Sequence, residues 1–259
     1  MSRFQFGYII ATVESRILKN DLLCRQIDAI NEPIVIVNQF TEKAIKADQF
    51  KPNVTLVNSK TKGLSKSRNI ALNLIDASHV MICDDDIQLV EENLEELRGT
   101  LAQSPLHSVY FTQLQKSTGP LWRATYESDA FVLKGLSFKT KRRIQRINSM
   151  EQILGLDILK QNRIQFNEKF GAGTPNYPLG EETLLSFDAL RAGGTMQYIP
   201  LVSRIHPPFS SGMKTDWKSR RSKWAVYRRI FWPWGTLMFI AVSIKRSFLS
   251  NYSDHNRVL

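Results

Sequence analysis

Short apolar runs alternate with helical patterns through the first third of the chain. Tyr8-Ile9-Ile10-Ala11-Thr12-Val13 is the kind of near-continuous apolar run that a strand covered on both faces shows. Ile17 to Ile30 carries its apolar residues at helical spacing. Pro33 to Val37 and Val54 to Val57 predict a second and a third strand. Ser65 to Ile75 predicts a helix, with Ile70, Ala71, Leu74 and Ile75 at helical intervals. His79 to Cys83 predicts a fourth strand that runs directly into Asp84-Asp85-Asp86. Strands alternating with helices imply βαβ units and a Rossmann-like, mixed but mainly parallel sheet flanked by helices. In such sheets ligands bind beyond the carboxyl ends of the strands. Three polar clusters fall there: Thr12 to Glu14, Asn38-Gln39, and Asp84 to Asp86.

The second half is less regular. Val109 to Thr112 and Ala130 to Leu133 predict strands, and Gly171 to Gly180 predicts a loop by composition. Glu182 to Ala192 predicts a helix closed by Gly193-Gly194. From about Lys214 the composition turns aromatic and basic, which divides the chain into 1–213 and an extension, 214–259.

Composition adds a partner class. The 259 residues are 42% hydrophobic, ample for a core, and 35 Lys and Arg against 24 Asp and Glu leave a net charge of +11. A basic excess favours an anionic partner: nucleotide phosphates, nucleic acid or anionic lipid. Cys24 and Cys83 lack metal-type or disulfide-type spacing and read as small buried hydrophobes in a reducing compartment. The start, Met1 to Gly7, lacks the basic and apolar regions of a signal peptide, so the expected location is cytoplasmic.

Three consecutive acids after an apolar strand repel one another, and a hard divalent cation relieves that cost by taking carboxylate oxygens together with substrate phosphates. The competing reading is a solvated turn that caps a helix beginning near Glu91. Upstream, Lys62-Gly63-Leu64-Ser65-Lys66-Ser67-Arg68-Asn69 places cations on the first turns of a helix, where an anion compensates them; a solvated basic face is the alternative. Glu181-Glu182 opens a later helix, where a carboxylate either serves as a base or merely complements the helix dipole for under about 1 kcal/mol.

Taken in order, these segments resemble family 2 glycosyltransferases of the GT-A fold. Gly63-Leu64-Ser65-Lys66-Ser67-Arg68-Asn69 is similar to that family's Gly-x-Ser-x-x-Arg-Asn helix, and Val80 to Asp86 to its strand ending in Asp-x-Asp. Ile164 to Gly171 resembles its Phe-Asp-Glu-x-Phe-Gly segment, and Gly180-Glu181-Glu182 its Gly-Glu-Asp helix start. The resemblance spans about residues 4 to 206. It implies an inverting transferase that uses a nucleotide-sugar donor, expected to be UDP-linked, and a saccharide acceptor. It implies Mn²⁺ or Mg²⁺ on Asp84, Asp86 and His206, with Glu182, or Glu181, as the base. Thr12, Glu14, Gln39, Gly63, Lys66, Arg68, Asp84 and Asp85 are the implied donor-binding positions. Two positions depart from the pattern: Asn38-Gln39 replaces an acidic residue, and Glu182 replaces the usual Asp.

In the extension, the basic residues Lys218, Arg220, Arg221, Lys223, Arg228 and Arg229 precede an apolar run from Ile230 to Ile244, which Lys245 and Arg246 follow. The run falls short of the roughly 20 residues a spanning helix needs, and Pro233 and Gly235 interrupt it. With Trp217, Trp224, Trp232 and Trp234 it reads as a segment lying on an anionic membrane, which suggests a lipid-linked acceptor in surface-polysaccharide synthesis on the inner face of the cell membrane. A core or oligomer-interface helix is the alternative. Two competitors remain for the whole chain: a metal-dependent nucleotidyltransferase, and a basic nucleic-acid-binding protein. Against the latter, the cations cluster beside an apolar tail rather than on a recognition motif, so no nucleic-acid partner is expected.

Overall fold

The computed structural model describes residues 4–42, 44–104, 106–123, 125–208 and 216–255, with side chains to residue 245. Lys214 and the expected division at 213/214 lie outside the described residues. A nine-stranded sheet runs through the molecule. Its first half is parallel: β3 (Val54–Ser59), β2 (Ile34–Gln39), β1 (Phe6–Val13) and β4 (His79–Asp84) lie side by side in that order. Then come β8 (Gln152–Gly155) and β6 (Val109–Lys116), both in antiparallel pairings, and β9 (Thr195–His206), which runs parallel to β6. The short β5 (Gln88–Leu89) and β7 (Phe131–Lys134) both pair antiparallel with β9.

The strand sequences explain this order. Five successive residues are buried at the start of β1, β2 and β4, as expected for central strands covered on both faces, whereas β3 at the edge keeps partly exposed positions. Ile36, Val80, Met81 and Ile82 are wholly buried, each contributing about 1.5–3 kcal/mol by leaving water. Parallel pairing is thus concentrated in β3-β2-β1-β4, the part of the sheet that ends at the acidic cluster.

The helix expected over Ile17–Ile30 is split. A 3-10 turn covers Arg16–Lys19, and α1 (Asp21–Ala29) begins after Asn20, whose side chain accepts from Leu23 N at 3.1 Å. The amide nitrogen of Asn20 donates to the carbonyls of Asp85 and Ile87, so one residue caps α1 and holds the acidic loop. The reading in which Asp84 to Asp86 cap a helix near Glu91 is corrected. β5 intervenes, Val90 is the N-cap of α3 (Glu91–Gln103), and Glu91 and Glu92 supply its first-turn acids.

Helix α2 (Leu64–Leu74) returns β3 to β4. Short helices α4 (Phe138–Ile144) and α5 (Leu156–Gln161) flank β8, and α6 (Glu181–Arg191) precedes β9. Gly180 enters α6 at φ 97°, and a Cβ there would lie 2.5 Å from Val226 Cγ2. Only glycine satisfies both the left-handed backbone and the close approach of the next helix.

That helix is α7 (Trp217–Ile230), capped by Asp216, whose carboxylate accepts from Ser219 N at 2.8 Å. Its Val226 and Ile230, with Phe231, are buried in the same core as the sheet. A turn at residues 231–234 leads to α8 (Gly235–His255), and a Cβ on Gly235 would meet Tyr227 O at 2.2 Å. Among the described residues no helix is long and apolar enough to cross a membrane. Cys83 is buried, which pushes its thiol up to about 12, while Cys24 is only half-buried.

Candidate functional site

Register brings the three polar clusters to one edge. Thr12 lies beside Asn38 and Val13 beside Gln39 across β1 and β2, and Ala11 lies beside Asp84 across β1 and β4. At the end of β1, Glu14 and Ser15 take φ 48° and 60°, turning the chain sharply over this edge.

The three aspartates have different surroundings. Asp85 is buried: it accepts from Thr12 Oγ1 at 2.6 Å and pairs with Arg16 at 3.1 Å. Burial raises its carboxyl, and the Thr12 hydroxyl and Arg16 oppose that rise. Asp84 accepts from Arg68 Nη2 at 3.1 Å. Asp86 is partly exposed, yet its Oδ1 is buried and accepts no hydrogen bond among the described residues.

His206, at the end of β9, faces Asp86 with Nε2 at 3.6 Å from Oδ1. Its Nδ1 lies 2.7 Å from the Pro207 carbonyl, which can only accept, so Nδ1 carries the proton of the neutral ring. Nε2 then presents a lone pair toward a carboxylate, an arrangement that a cation would relieve. Ligand atoms of Asp84, Asp86 and His206 all lie within 4.8 Å of one another. Two carboxylates and an imidazole with an unpartnered buried oxygen fit a divalent cation. Burial also raises the Asp86 carboxyl, with Asp84 adding to the rise and His206 opposing it.

Arg68 joins this cluster to the glutamates. Its side chain is 1% exposed, and it donates to Asp84, to Ser149 Oγ at 3.2 Å, and from Nη1 to Glu181 Oε1 at 3.1 Å. Neighbouring residues of the same helix are clamps. Asn69 donates to the Phe166 carbonyl and to Glu168 and accepts from Phe166 N, and Ser65 Oγ donates to the Phe170 carbonyl at 2.6 Å. Two segments about a hundred residues apart are thereby sewn together around the site. Glu182 differs from Glu181: it is half-buried, and among the described residues no cation pairs with it. Burial and the adjacent Glu181 push its carboxyl well above the ordinary range, to about 8.

Other expected positions serve as supports. Thr12 spends its hydroxyl on Asp85 and on the backbone of Ile17. Glu14 accepts from Thr41 N and Oγ1, closing the turn after β2. Gln39 accepts from Gly63 N and donates to Ser67 Oγ, fixing the start of α2, where Gly63 takes φ 125° and Lys66 lies half-buried.

Several residues carry no local sequence signal. Trp122 packs its ring edge-on against His206 at 5.3 Å. Buried Glu151 accepts from Tyr126 Oη and Arg123, tying the segment after β6 to the floor of the site. Arg204, wholly buried, donates to the carbonyls of Ile82 and Gln152, and desolvation pulls its guanidinium down to about 10. His79 and His107 hydrogen-bond to Ser78, Tyr110 and Thr195 and take no part in the cluster.

The sequence pattern of glycosyl transferase family 2 matches residues 22–162, more than half of the chain. No curated protein matches the sequence. Among solved structures, S. aureus TarS 1-349 in complex with UDP-GlcNAc matches with a TM-score of 0.64 at 18% identity, covering 88% of this chain and 65% of that one. S. aureus TarS matches at 0.62 and 17%, covering 88% and 39%, and TarS 1-349 in complex with UDP at 0.59 and 16%, covering 88% and 64%. This chain therefore spans less than two thirds of the TarS chains it matches, and at these identities the likeness is one of fold. With its mixed sheet of the GT-A kind and the family pattern over residues 22–162, the chain belongs to glycosyl transferase family 2 and carries that family's glycosyltransferase domain.

Proposed function

We propose that this protein transfers a sugar, with inversion, from a UDP-linked donor to a hydroxyl of a saccharide acceptor. The observation that carries the reading is the Arg68 bridge, which sets the Asp84-Asp86-His206 cluster beside the Glu181-Glu182 pair. The fold likeness to TarS, solved with UDP-GlcNAc and with UDP, supports the nucleotide. Asp84, Asp86 and His206 would hold Mn²⁺ or Mg²⁺, and the imidazole tilts the choice toward Mn²⁺. When bound, the ion neutralises charge growing on the leaving diphosphate. Glu182 takes the acceptor's hydroxyl proton, the hydroxyl oxygen attacks the anomeric carbon from the face opposite the diphosphate, and the bond to UDP breaks. A carboxylate raised toward neutrality is a stronger base than an ordinary one. Arg68 holds Glu181 and keeps the pair oriented. Thr12, Glu14, Gln39, Gly63, Lys66 and Asp85 frame the donor side.

The test is calorimetric. Asp86→Ala should lose the Mn²⁺-dependent part of UDP binding and all transfer, with the fold retained. Wild-type affinity for UDP with and without Mn²⁺ in that variant would sink the assignment.

A second element of the proposal concerns location. Trp232, Trp234, Leu237 and Ile240 are exposed around the turn into α8, Trp232 at 75%. Exposed Phe138 on α4 joins them through Phe231, at 5.7 Å between rings. Cations from α4 and α7 lie beside these rings: Lys141 over Phe231, Arg142 donating to Tyr227 Oη, and Arg228 over Trp224. An apolar, aromatic face with cations beside it suits the interface of an anionic membrane. The reading places the enzyme on the inner face of the cell membrane, acting on a lipid-linked acceptor in surface-polysaccharide synthesis.

A further inference from the structure

A cavity of about 640 Å³ opens beside this face, walled by Phe170, Tyr177, Phe187, Trp224 and Trp232. Its volume falls in the range of small-molecule sites. Lys141, Arg191, Arg228 and Arg229 contribute to the same lining. Arg229 and Arg191 share one carboxylate, Asp188, at 2.6 and 3.5 Å. Among the described residues Lys141 and Arg228 have no ion pair and lie only over rings, Lys141 over Phe231 at 5.8 Å and Arg228 over Trp224 at 5.2 Å. An aromatic interior edged by uncompensated cations accepts hydrocarbon and anion together, which is the chemistry of an anionic amphiphile. Trp232 belongs both to the cavity and to the exposed face, so the mouth opens where that face would meet a bilayer.

We propose that the cavity seats one anionic phospholipid, its phosphate held by Lys141 and Arg228 and its proximal chain lying among Trp224, Phe187 and Tyr177. The inference rests on the membrane reading for the source of the lipid and sharpens it from a diffuse attraction to a single site. The free phosphate ion offers the same kind of anionic oxygens but no chain to fill the aromatic walls.

The test uses the full-length protein and dihexanoyl phosphatidylglycerol below its micelle concentration. Saturable one-site binding should appear as a change in tryptophan emission, because Trp224 and Trp232 line the cavity. Arg228→Glu should weaken binding roughly ten-fold or more. Ala225→Phe, which fills the cavity without changing charge, should weaken it similarly. Equal binding of dihexanoyl phosphatidylcholine, displacement by millimolar inorganic phosphate, or unchanged affinity in a folded Arg228→Glu would each overturn the proposal. Flotation with phosphatidylcholine–phosphatidylglycerol vesicles separates the two readings. Wild-type protein that binds the monomeric lipid but does not float supports the cavity and removes the membrane docking. Protein that floats without binding the monomeric lipid does the reverse.

Discussion

The strand edge that carries the carboxylates and the helical pair α7–α8 are both rich in charge, and they handle it in opposite ways. At the edge, most charged groups have an assigned partner: Arg68 is shared by Asp84 and Glu181, and Asp85 by Thr12 and Arg16. Along α4 and α7, Lys141 and Arg228 rest on aromatic rings beside exposed tryptophans. Fixed partners in low dielectric preorganise a site for one small ligand. Cations without a carboxylate partner, set among apolar side chains, match a surface that supplies the anions itself. Preorganisation also shows what is missing: among the described residues Asp86 Oδ1 accepts no hydrogen bond, and Glu182 has no ion pair of the kind Glu181 makes with Arg68.

The largest expected effect tests that exception. Glu182→Gln should lower turnover by about two to four orders of magnitude while leaving UDP affinity nearly unchanged. Wild-type activity should rise with pH through about 8, and the variant should lose that limb. The sign for stability runs the other way. A carboxyl raised from 4.5 to about 8 binds its proton more tightly when folded, so stability falls as pH climbs between those values. Glu182→Gln should flatten that decline and be the more stable protein at pH 8, as urea titrations at pH 5 and pH 8 would reveal. If instead Glu181→Gln is inactive and Glu182→Gln works, the two roles are exchanged.

Next in size is Arg68→Met. Removing the guanidinium leaves buried Glu181 and half-buried Asp84 without their cation, a loss of about 3 kcal/mol in denaturant unfolding. A loss below about 1 kcal/mol would mean that the edge tolerates loose charge as the tail does. The smallest effect belongs to the tail. Since α7 buries Val226 and Ile230 in the core, the discriminating change is Trp232→Ala with Trp234→Ala rather than truncation. This double variant should keep wild-type stability within about 0.5 kcal/mol and lose about ten-fold in vesicle partitioning. Unfolding of the variant, or undiminished flotation, would make the tail a packing element and dissolve the contrast.

How much of this could be read in the sequence follows from distance along the chain. β1, β2 and β4 and the convergence of Thr12, Asn38 and Asp84 were legible, because each strand is a local run and parallel register follows from βαβ order. β8 is four buried residues with no alternation to mark it, and β5 is only two long. No local pattern marks Glu151 or Arg204, since their partners, Tyr126 and the carbonyl of Ile82, come from other strands and loops. Asn20 reads as one more helical residue until the acidic loop it anchors is in view. Lys62 to Asn69 reads as cations compensated by an anion, with a basic helix face as the alternative; the structure buries Ser65, Arg68 and Asn69 as clamps.

Those clamps also set an order of events. Ser65, Arg68 and Asn69 find their partners 105, 113 and 97 residues further along the chain. Loops of that length close slowly, because their entropy is lost before their contacts form. The βαβ core up to Asp84 can assemble from local pairings as synthesis proceeds, but Arg68 keeps an incomplete set of carboxylates until Glu181 has emerged and α6 has docked. His206, the third ligand of the proposed cation, ends β9 and emerges later still. On the proposed reading, donor site and base are therefore both complete only once α6 and β9 have been made.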